Sequence, residues 1–301
     1  MAGFNALRPL AVLVLISIAA VTFAIAVGSA QIGVGKVVWV LAGGGSDLDR
    51  TLILDLRLPR VLSAFAVGGL LAVAGALMQV LLRNPLADPY VLGLSGGAAV
   101  GALQRALDGR VQVGVSGSAF AGAMLATLLV FGLAHGSGSW TPSRLLLTGV
   151  VVAAGWGALI TLILAMTPAA RLPGILFWLS GDLSPSRQPS AGLLVLVLVI
   201  LLVLPLGRSL NVLARGSMQA AALGVSVRPL EWLVYLLASL LTATAVTMAG
   251  AVGFVGLVVP HMLRLVLGND QRLILPACAL AGGILLVLAD TLGRVVIAPE
   301  Q

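Results

Sequence analysis

The stretch from Arg57 to Gly101 constrains this chain most, because it combines paired arginines, two apolar runs and a proline-rich segment in close succession. Its sequence is RLPRVLSAFAVGGLLAVAGALMQVLLRNPLADPYVLGLSGGAAVG. An apolar run of about 20 residues is enough to span the hydrocarbon core of a bilayer. The prolines of the polar segment fix their own φ and restrict the residues before them, which makes that segment stiff. The stretch therefore predicts two membrane spans joined by a structured loop.

The composition excludes a soluble globular domain. Of the 301 residues, 60% are hydrophobic and 9% are charged, whereas a soluble domain carries roughly 25% charged residues. The net charge of +7 does not indicate nucleic-acid binding, because the arginines fall singly between apolar runs. Cys278 is the only cysteine and lies in an apolar run, which excludes a disulfide framework and a thiolate metal site. We expect a single transmembrane domain over residues 1–301.

The N-terminal segment shares features with both a signal peptide and a membrane span. Arg8 precedes an apolar run over residues 10–27, and the small residues 28–30 (GSA) follow as a cleavage-like motif. The charge-free stretch 9–35, however, is longer than an ordinary signal-peptide core and long enough to cross a bilayer. Since further spans follow, we expect an uncleaved first helix.

Charge-poor segments mark the expected spans, because a charge at the bilayer centre costs roughly 2.5–3.5 kcal/mol on insertion scales. They are 10–31, 61–82, 90–104, 114–134, 145–168, 190–207, 232–251, 254–267 and 273–289, the last with an extension to 297 left open. The third and eighth are short for spans and fit partial helices lining a cavity. The run 232–263 is too long for one helix, and its glycines and Pro260 predict a tight turn near Ala251–Gly253. We therefore expect an all-α polytopic bundle with nine spans.

Glycine and alanine recur at four-residue spacing in several of these segments. The sets are Gly68, Ala72 and Ala76; Gly93, Gly97 and Gly101; and Gly149, Ala153 and Gly157. Small residues at this spacing let helix backbones approach closely in lipid. The pattern predicts a compact helix bundle.

Positive charge does not reveal the orientation of the bundle. With a cytoplasmic N-terminus, the inner side holds eight basic residues and the outer side nine, so the usual excess of inner Lys and Arg is missing. The outer set is Lys36, Arg50, Arg57, Arg60, Arg105, Arg110, Arg171, Arg187 and Arg294. An acidic partner outside the membrane would account for so much outer arginine.

Sequence signals for catalysis, nucleotide binding and metal binding are missing. The stretch Gly33–Lys36 lacks the upstream glycine and the following Ser or Thr of a P-loop. His135 and His261 have too few partners for a metal or proton-relay cluster, and His261 beside Pro260 fits an interfacial histidine. We therefore expect no catalytic residue, no metal and no cofactor bound by this chain.

Carboxylates are nearly absent from the spans, and Asp290 is the main candidate. Arg294 follows four residues later, which predicts an i,i+4 ion pair near a helix end, with an ion pathway as the alternative. Ion-coupled carriers usually hold intramembrane carboxylates. If this chain transports a solute, we expect the energy to come from another subunit.

Two polar segments are more structured than ordinary connections. In Arg83–Tyr90 (RNPLADPY) the side chains of Asn84 and Asp88 can bond the nearby backbone, as in a capped loop. Between residues 208 and 229, Met218–Leu223 is predicted as a short helix ended by Gly224. Such a helix fits a docking element for a cytosolic partner, or an interfacial helix on the headgroups of membrane lipid.

Several long motifs, in order along nearly the whole chain, resemble the permease subunits of type II ATP-binding-cassette importers for iron–siderophores, haem and vitamin B12. They are RLPR at 57–60, GALMQ at 75–79, RNPLADPYVLG at 83–93, SRLLLTG at 143–149, WLSGDLS at 178–184, ALGVSVR at 222–228, GFVGLVVPHMLR at 253–264 and LILPACALAGGILLVLADTLGR at 273–294. The resemblance implies a ten-span permease of the bacterial inner membrane, present as a homodimer with one translocation path at the dimer interface. It also implies two cytosolic ATPase subunits that bind ATP and Mg²⁺, and a periplasmic substrate-binding protein.

The resemblance assigns roles to residues by their motifs. Arg57, Arg60 and Arg294 match the basic residues that receive acidic side chains from the two lobes of the binding protein. The coupling helix that fits the ATPase cleft corresponds to the segment 218–227. Its expected contact residues are Met218, Gln219, Ala222, Leu223, Gly224 and Val225, and the residues near the cytoplasmic gate are Asn84, Pro85, Leu86 and Ser143.

One departure from the family pattern concerns the end of the chain. Family members continue with a Leu-Pro-x-Gly segment and a tenth span, whereas this sequence ends at Glu300-Gln301, so a truncated product or a partial record is expected. The resemblance favours a permease for a metal chelate, with ferric siderophore first and cobalamin or haem as alternatives. An ion-coupled secondary carrier and an inactive truncated membrane subunit are the alternatives from other classes.

Overall fold

The computed structural model describes residues 2–28, 32–107, 115–135, 141–183 and 189–296, and these residues are almost entirely helical. Three 3₁₀ turns lie at Pro89–Leu92, Ala169–Arg171 and Leu204–Leu206, and a π-helical segment lies at Thr51–Arg57. The α-helices are α1 (Ala2–Ala26), α2 (Val34–Leu41), α3 (Asp47–Arg50), α4 (Leu58–Leu82), α5 (Leu94–Leu107), α6 (Val115–His135), α7 (Pro142–Met166), α8 (Leu172–Ser180), α9 (Pro189–Val203), α10 (Gly207–Leu213), α11 (Ser217–Ala222), α12 (Val227–Ala249), α13 (Val255–Leu267) and α14 (Gln271–Val296). The all-α prediction is confirmed.

Seven helical stretches in the described ranges are long and apolar enough to cross a membrane. They are Arg8–Ala26, Asp47–Leu82, Gly117–Ala134, Pro142–Met166, Pro189–Leu213, Val227–Ala249 and Gln271–Val296. The two segments predicted to be short are α5 and α13, which have 14 and 13 residues. Each of the nine predicted segments therefore contains a helix. The α5 segment also lines a cavity of about 400 Å³ together with α6 and Trp156.

The second predicted span begins earlier than its apolar run. Ser46 and Asp49 form a capping box that starts α3, and the chain then remains helical from Asp47 to Leu82. Arg57 and Arg60 consequently lie inside this long helix rather than ahead of it. The hydropathy pattern did not predict this extension, because it places the boundaries of the spans at charged residues. A charged residue can stay within a helix when its charged group has hydrogen-bond partners.

The predicted break in the run 232–263 is confirmed. Helix α12 ends at Ala249, Gly250 has φ +67°, and α13 starts at Val255 after Phe254 with φ +68°. A left-handed φ interrupts the ladder of right-handed helical hydrogen bonds. We refer to residues 250–254 as the central linker.

Helix α4 is the centre of the bundle. It is buried along nearly its whole length and packs against α9, α12, α13 and α14. A Cβ added to Gly68 would overlap the carbonyl oxygen of Gly282 on α14, and one added to Gly75 would overlap that of Gly256. These close approaches bear out the packing predicted from the glycine spacing in this helix. Helix α7 differs, since a Cβ at Gly157 would lie in open space and most of the helix surface is exposed.

Two ends of the bundle hold the polar residues. The arginine end contains Arg57, Arg60 and Arg294, where α4 begins and α14 ends. The loop end contains residues 83–88, 214–226 and 268–270, where α4 ends and α12 and α14 begin. Because α4 joins the two ends directly, the sites below lie at opposite ends of one buried helix.

Candidate functional site

A cavity of about 980 Å³ opens at the arginine end. Its wall is formed by the start of the long second span, the end of α8 with the residues that follow it, the central linker and the end of α14. The three arginines predicted to dock a partner all line this cavity. The structure therefore brings together residues that lie more than 200 positions apart in the sequence.

Asp290 holds two of these arginines. Its carboxylate accepts hydrogen bonds from Arg294 Nε at 3.0 Å and from Arg60 Nη2 at 2.8 Å. The i,i+4 pair between Asp290 and Arg294 predicted from the sequence is confirmed. Arg60 is an additional partner, which the sequence could not reveal because it lies 230 residues from Asp290. The side chain of Asp290 is 7% exposed, so its charge is compensated by both guanidinium groups.

In the contacts described for Arg57, its guanidinium group donates to backbone carbonyls and not to a carboxylate. Its Nη1 donates to the carbonyl oxygens of Ile25 at 2.7 Å and Ala26 at 3.3 Å. These carbonyls belong to the last turn of α1, which lacks intrahelical donors and carries the negative end of the helix dipole. Arg57 is 6% exposed, and a Cβ at Gly28 would come within 2.9 Å of its Nη2. The C-terminal end of α1 thus fixes Arg57 at the cavity wall.

The proline-rich loop at the other end of α4 is capped as predicted. Asn84 Oδ1 accepts from the Leu86 amide at 3.0 Å, and Asp88 Oδ1 accepts from the Tyr90 amide at 2.8 Å. Burial raises the pKa of the Asp88 carboxyl, and the hydrogen bond from Tyr90 opposes this shift. Pro85 and Leu86 are exposed at the tip of the loop. Ser143, the fourth predicted gate residue, is exposed in the first turn of α7.

An ion pair, not predicted from the sequence, ties this loop to α12. Arg83 adopts a left-handed conformation (φ +50°) at the end of α4. Its Nη2 lies 3.5 Å from Oε1 of Glu231, a buried residue in the first turns of α12. We refer to residues 83–88 as the gate loop, after the role that the resemblance assigns to them. The ion pair connects this loop to the segment that follows α11.

The predicted short helix is α11, shifted by one residue to Ser217–Ala222. Gly224 (φ +80°) ends it as predicted, with the amides of Gly224 and Val225 donating to the carbonyls of Ala221 and Ala220. This pair of hydrogen bonds is a Schellman motif. Met218 is 85% exposed and Leu223 is 71% exposed. Gln219 lies in the same helix, and Ala222 is its last residue.

A second contact, also not predicted, holds the segment ahead of α11. Asn211 of α10 donates to Asp270 Oδ1 at 2.9 Å and accepts from the Gln271 amide at 2.8 Å. The hydrogen bond from Asn211 lowers the pKa of the Asp270 carboxyl. An Asp directly before an apolar helix is a common helix-start signal, but the sequence carries no signal for its partner.

Among the described residues, no three His, Cys, Asp or Glu side chains come together as a metal ion requires. The side chain of His135 lies outside the described residues. The absence of a bound cofactor stays a prediction.

Comparisons with known proteins agree with this architecture. The cobalamin import system permease protein BtuC of Halobacterium salinarum is 42% identical over 254 residues, covering 83% of this chain and 69% of that protein. The vitamin B12 import system permease protein BtuC of Vibrio cholerae is 40% identical over 261 residues, covering 85% and 78%. A solved structure described as an inward-facing metal-chelate type ABC transporter has a TM-score of 0.86 at 28% identity, covering 96% of this chain and 91% of that chain.

The family model agrees with these relatives. The model of the FecCD transport family matches residues 13–301, which includes both polar ends of the bundle. A member of this family is a multi-pass inner-membrane subunit that translocates a solute and is not itself an enzyme. The chain belongs to the FecCD transport family, the permeases of type II ATP-binding-cassette importers.

Proposed function

We propose that this permease imports cobalamin, with energy supplied by ATP hydrolysis on separate ATPase subunits. The observation that carries the proposal is the 42% identity to a protein named as a cobalamin import permease. The sequence alone favoured ferric siderophore, and that cargo is the second candidate, because the solved relative is described as a metal-chelate type transporter. Both cargoes are bulky metal chelates.

The cargo is tested by uptake into proteoliposomes. The permease is reconstituted with its ATPase and binding protein, and uptake of radiolabelled cyanocobalamin is compared with uptake of a panel of labelled ferric siderophores. We expect uptake of cyanocobalamin that requires ATP and is lost with an ATPase subunit unable to hydrolyse it. If a ferric siderophore is taken up and cyanocobalamin is not, ferric siderophore replaces cobalamin as the proposed cargo.

We further propose that the arginine end faces outward and receives the substrate-binding protein. Arg57, Arg60 and Arg294 line one cavity, and each is held by contacts with α1 or α14. Arginines fixed in position lose little conformational freedom when they bind carboxylates, which favours association. In this proposal, acidic side chains of the binding protein enter the cavity and approach the three guanidinium groups.

The loop end is then the cytosolic side, where the ATPase subunits bind. Met218 and Leu223 present exposed apolar side chains. The hydrogen bonds of the Gly224 and Val225 amides end α11 before α12 begins. ATP binding moves the ATPases, and α11 passes this movement to the permease. Two permease copies enclose the translocation path in this proposal, which is consistent with the exposed apolar surface of α7.

A further inference from the structure

The central linker, residues 250–254, is held from two sides by segments that serve opposite ends of the bundle. One segment follows the gate loop at the loop end, and the other is the end of α8 at the arginine cavity. These contacts join the linker, which itself lines the arginine cavity, to the segment after the gate loop and to the end of α8. The docking and coupling roles proposed for the two ends do not account for them.

On one side the linker is bonded to Tyr90. The Tyr90 hydroxyl accepts a hydrogen bond from the Val252 amide at 3.2 Å. Tyr90 lies two residues beyond the gate loop, and Asp88 of that loop accepts a hydrogen bond from its amide. Pro89 packs against the next turn, because a Cβ at Gly256 would come within 2.8 Å of Pro89 Cδ. Movement of the gate loop therefore reaches the linker through the 3₁₀ turn Pro89–Leu92.

On the other side the linker is packed backbone to backbone against the end of α8. The Asp182 amide donates to the Ala249 carbonyl at 2.9 Å. A Cβ at Gly250 would overlap the carbonyl oxygen of Trp178, and one at Gly181 would come within 2.9 Å of the Ala251 carbonyl. Because no side chain separates the two backbones, displacement of the linker displaces the end of α8 and the cavity wall with it.

The backbone of the linker suits such a connection. Gly250 and Phe254 both have left-handed φ, and the residues between them form no regular helix. Two rigid helices, α12 and α13, are joined by this interruption. A short irregular segment can shift relative to the helices on either side of it at little cost.

We propose that Tyr90 is a positioning residue that couples the gate loop to the wall of the arginine cavity through the central linker. When ATP moves the loop end, the Tyr90–Val252 hydrogen bond shifts the linker, and the linker shifts the end of α8. Whether the translocation path is open or closed at the loop end thereby affects whether it is open or closed at the arginine end. The inference rests on the ATP-driven cycle of the family and not on the identity of the cargo.

The chain offers a matched control for this role, because it contains two tyrosines. The hydroxyl of Tyr235 donates to the Thr127 carbonyl at 2.8 Å, which joins α12 to α6 away from the linker. Tyr90→Phe and Tyr235→Phe each remove one hydrogen-bonded hydroxyl, part-buried at Tyr90 and buried at Tyr235, without changing the ring. Both variants are expected to lower the thermal midpoint of the complex by similar amounts, since each deletes one neutral hydrogen bond.

The reporter is a cysteine placed at Phe177, which lies on α8, lines the cavity and is 70% exposed. The native Cys278 is fully buried and provides little background. The permease–ATPase complex is reconstituted in nanodiscs, and labelling by a membrane-impermeant maleimide is timed with and without ATP, Mg²⁺ and vanadate. No cargo and no binding protein are present, so failure of the cargo assignment would not affect this result.

We expect nucleotide to change the labelling rate at Phe177→Cys in the otherwise native permease and in the Tyr235→Phe background. In the Tyr90→Phe background this change should shrink by about twofold to tenfold, the factor that one neutral hydrogen bond contributes to a conformational equilibrium. An equal nucleotide response in both backgrounds would overturn the inference. Equal loss in both would also overturn it, because the effect would then be general loosening. If nucleotide did not change the labelling rate in the otherwise native permease, there would be no movement to transmit, and this result would also refute the inference.

Discussion

The arginine end and the loop end of the permease hold their polar groups in different ways. At the arginine end, one buried carboxylate, Asp290, pairs with two arginines, and a third arginine is bound by the last carbonyls of α1. At the loop end, the exposed gate loop is held by bonds from side chains to the backbone, and Arg83 meets Glu231 at 3.5 Å. The arginine end places its charges between long helices, whereas the loop end combines short helices and turns with an ion pair in which Glu231 is buried and Arg83 is partly exposed.

If the arginine end receives the binding protein and the loop end is moved by the ATPases, as proposed, this difference makes the permease rigid at the first site and adaptable at the second. Buried ion pairs are costly to break, since the remaining charge is left without compensation in a low-dielectric site. Exposed pairs and turns contribute little to stability and rearrange readily. Four predictions test this contrast, and the largest effect is expected at Asp290.

Asp290→Asn should separate the two ends most clearly. It leaves the partly buried Arg60 and Arg294 without their carboxylate, and removing one partner of a buried pair costs about 3–5 kcal/mol. The matched change at the loop end, Asp270→Asn, alters a half-exposed pair and should cost about 1 kcal/mol or less. Thermal unfolding of the purified permease in one detergent measures both. Equal losses would show that the arginine end is not the more rigid one.

Gly181→Ala and Gly224→Ala compare the backbone at the two ends. Both glycines have positive φ, +88° and +80°, and a left-handed conformation costs an alanine about 1–2 kcal/mol. Gly181 has ψ 118°, outside the left-handed helical region, so its alanine is the more strained. At Gly181 the new Cβ would also press on the Ala251 carbonyl, whereas at Gly224 nothing lies within 4 Å. We expect Gly181→Ala to lose about 1–3 kcal/mol more, the usual cost of overpacking. The same unfolding assay decides, and a larger loss at Gly224 would contradict the close packing of α8 on the linker.

Arg57→Glu tests whether the rigid end receives the binding protein. Reversing a charge that faces carboxylates should weaken association about tenfold or more, and association of the unaltered permease should weaken as salt rises. Lys36→Glu makes the same charge change at an exposed residue that does not line the cavity and should have little effect. The affinity of the permease for the binding protein is measured in a surface-binding assay at several salt concentrations, using only variants that elute as intact complexes. Affinity that does not change with salt would exclude electrostatic docking.

Asp88→Asn should have the smallest effect and tests the gate loop. Burial raises the pKa of Asp88 above its ordinary value of 3.8, so the folded protein binds this proton more tightly than the unfolded chain does. Stability from this group is therefore full below the unfolded pKa and is lost as pH rises through the folded pKa. Asparagine mimics the neutral carboxyl and still accepts the Tyr90 amide. The thermal midpoint of the Asp88→Asn variant should lie slightly above that of the unaltered permease at pH 7, and the two midpoints should converge toward pH 4. A difference between them that widens in acid would contradict the raised pKa of Asp88.

Local features of the fold were predictable from the sequence. The helix break at Gly250, the end of α11 at Gly224 and the pair of Asp290 with Arg294 involve residues within a few positions of one another. Torsional preference, hydropathy and i,i+4 spacing act over that range. Helix α8 was not predicted, because its nine residues are fewer than a membrane span requires. Its role at the cavity depends on what it packs against.

The membrane bundle, its helix break and the residue types at each end follow from the amino-acid sequence, because transfer free energy and local geometry set them. The contacts of Arg60 with Asp290, of Arg57 with the end of α1 and of Tyr90 with Val252, 162 positions away, depend on the packing of the helices. Such contacts arise when helices pack and distant segments become neighbours. A buried charge or hydroxyl then takes whichever partner the packing supplies, since leaving it without one costs more.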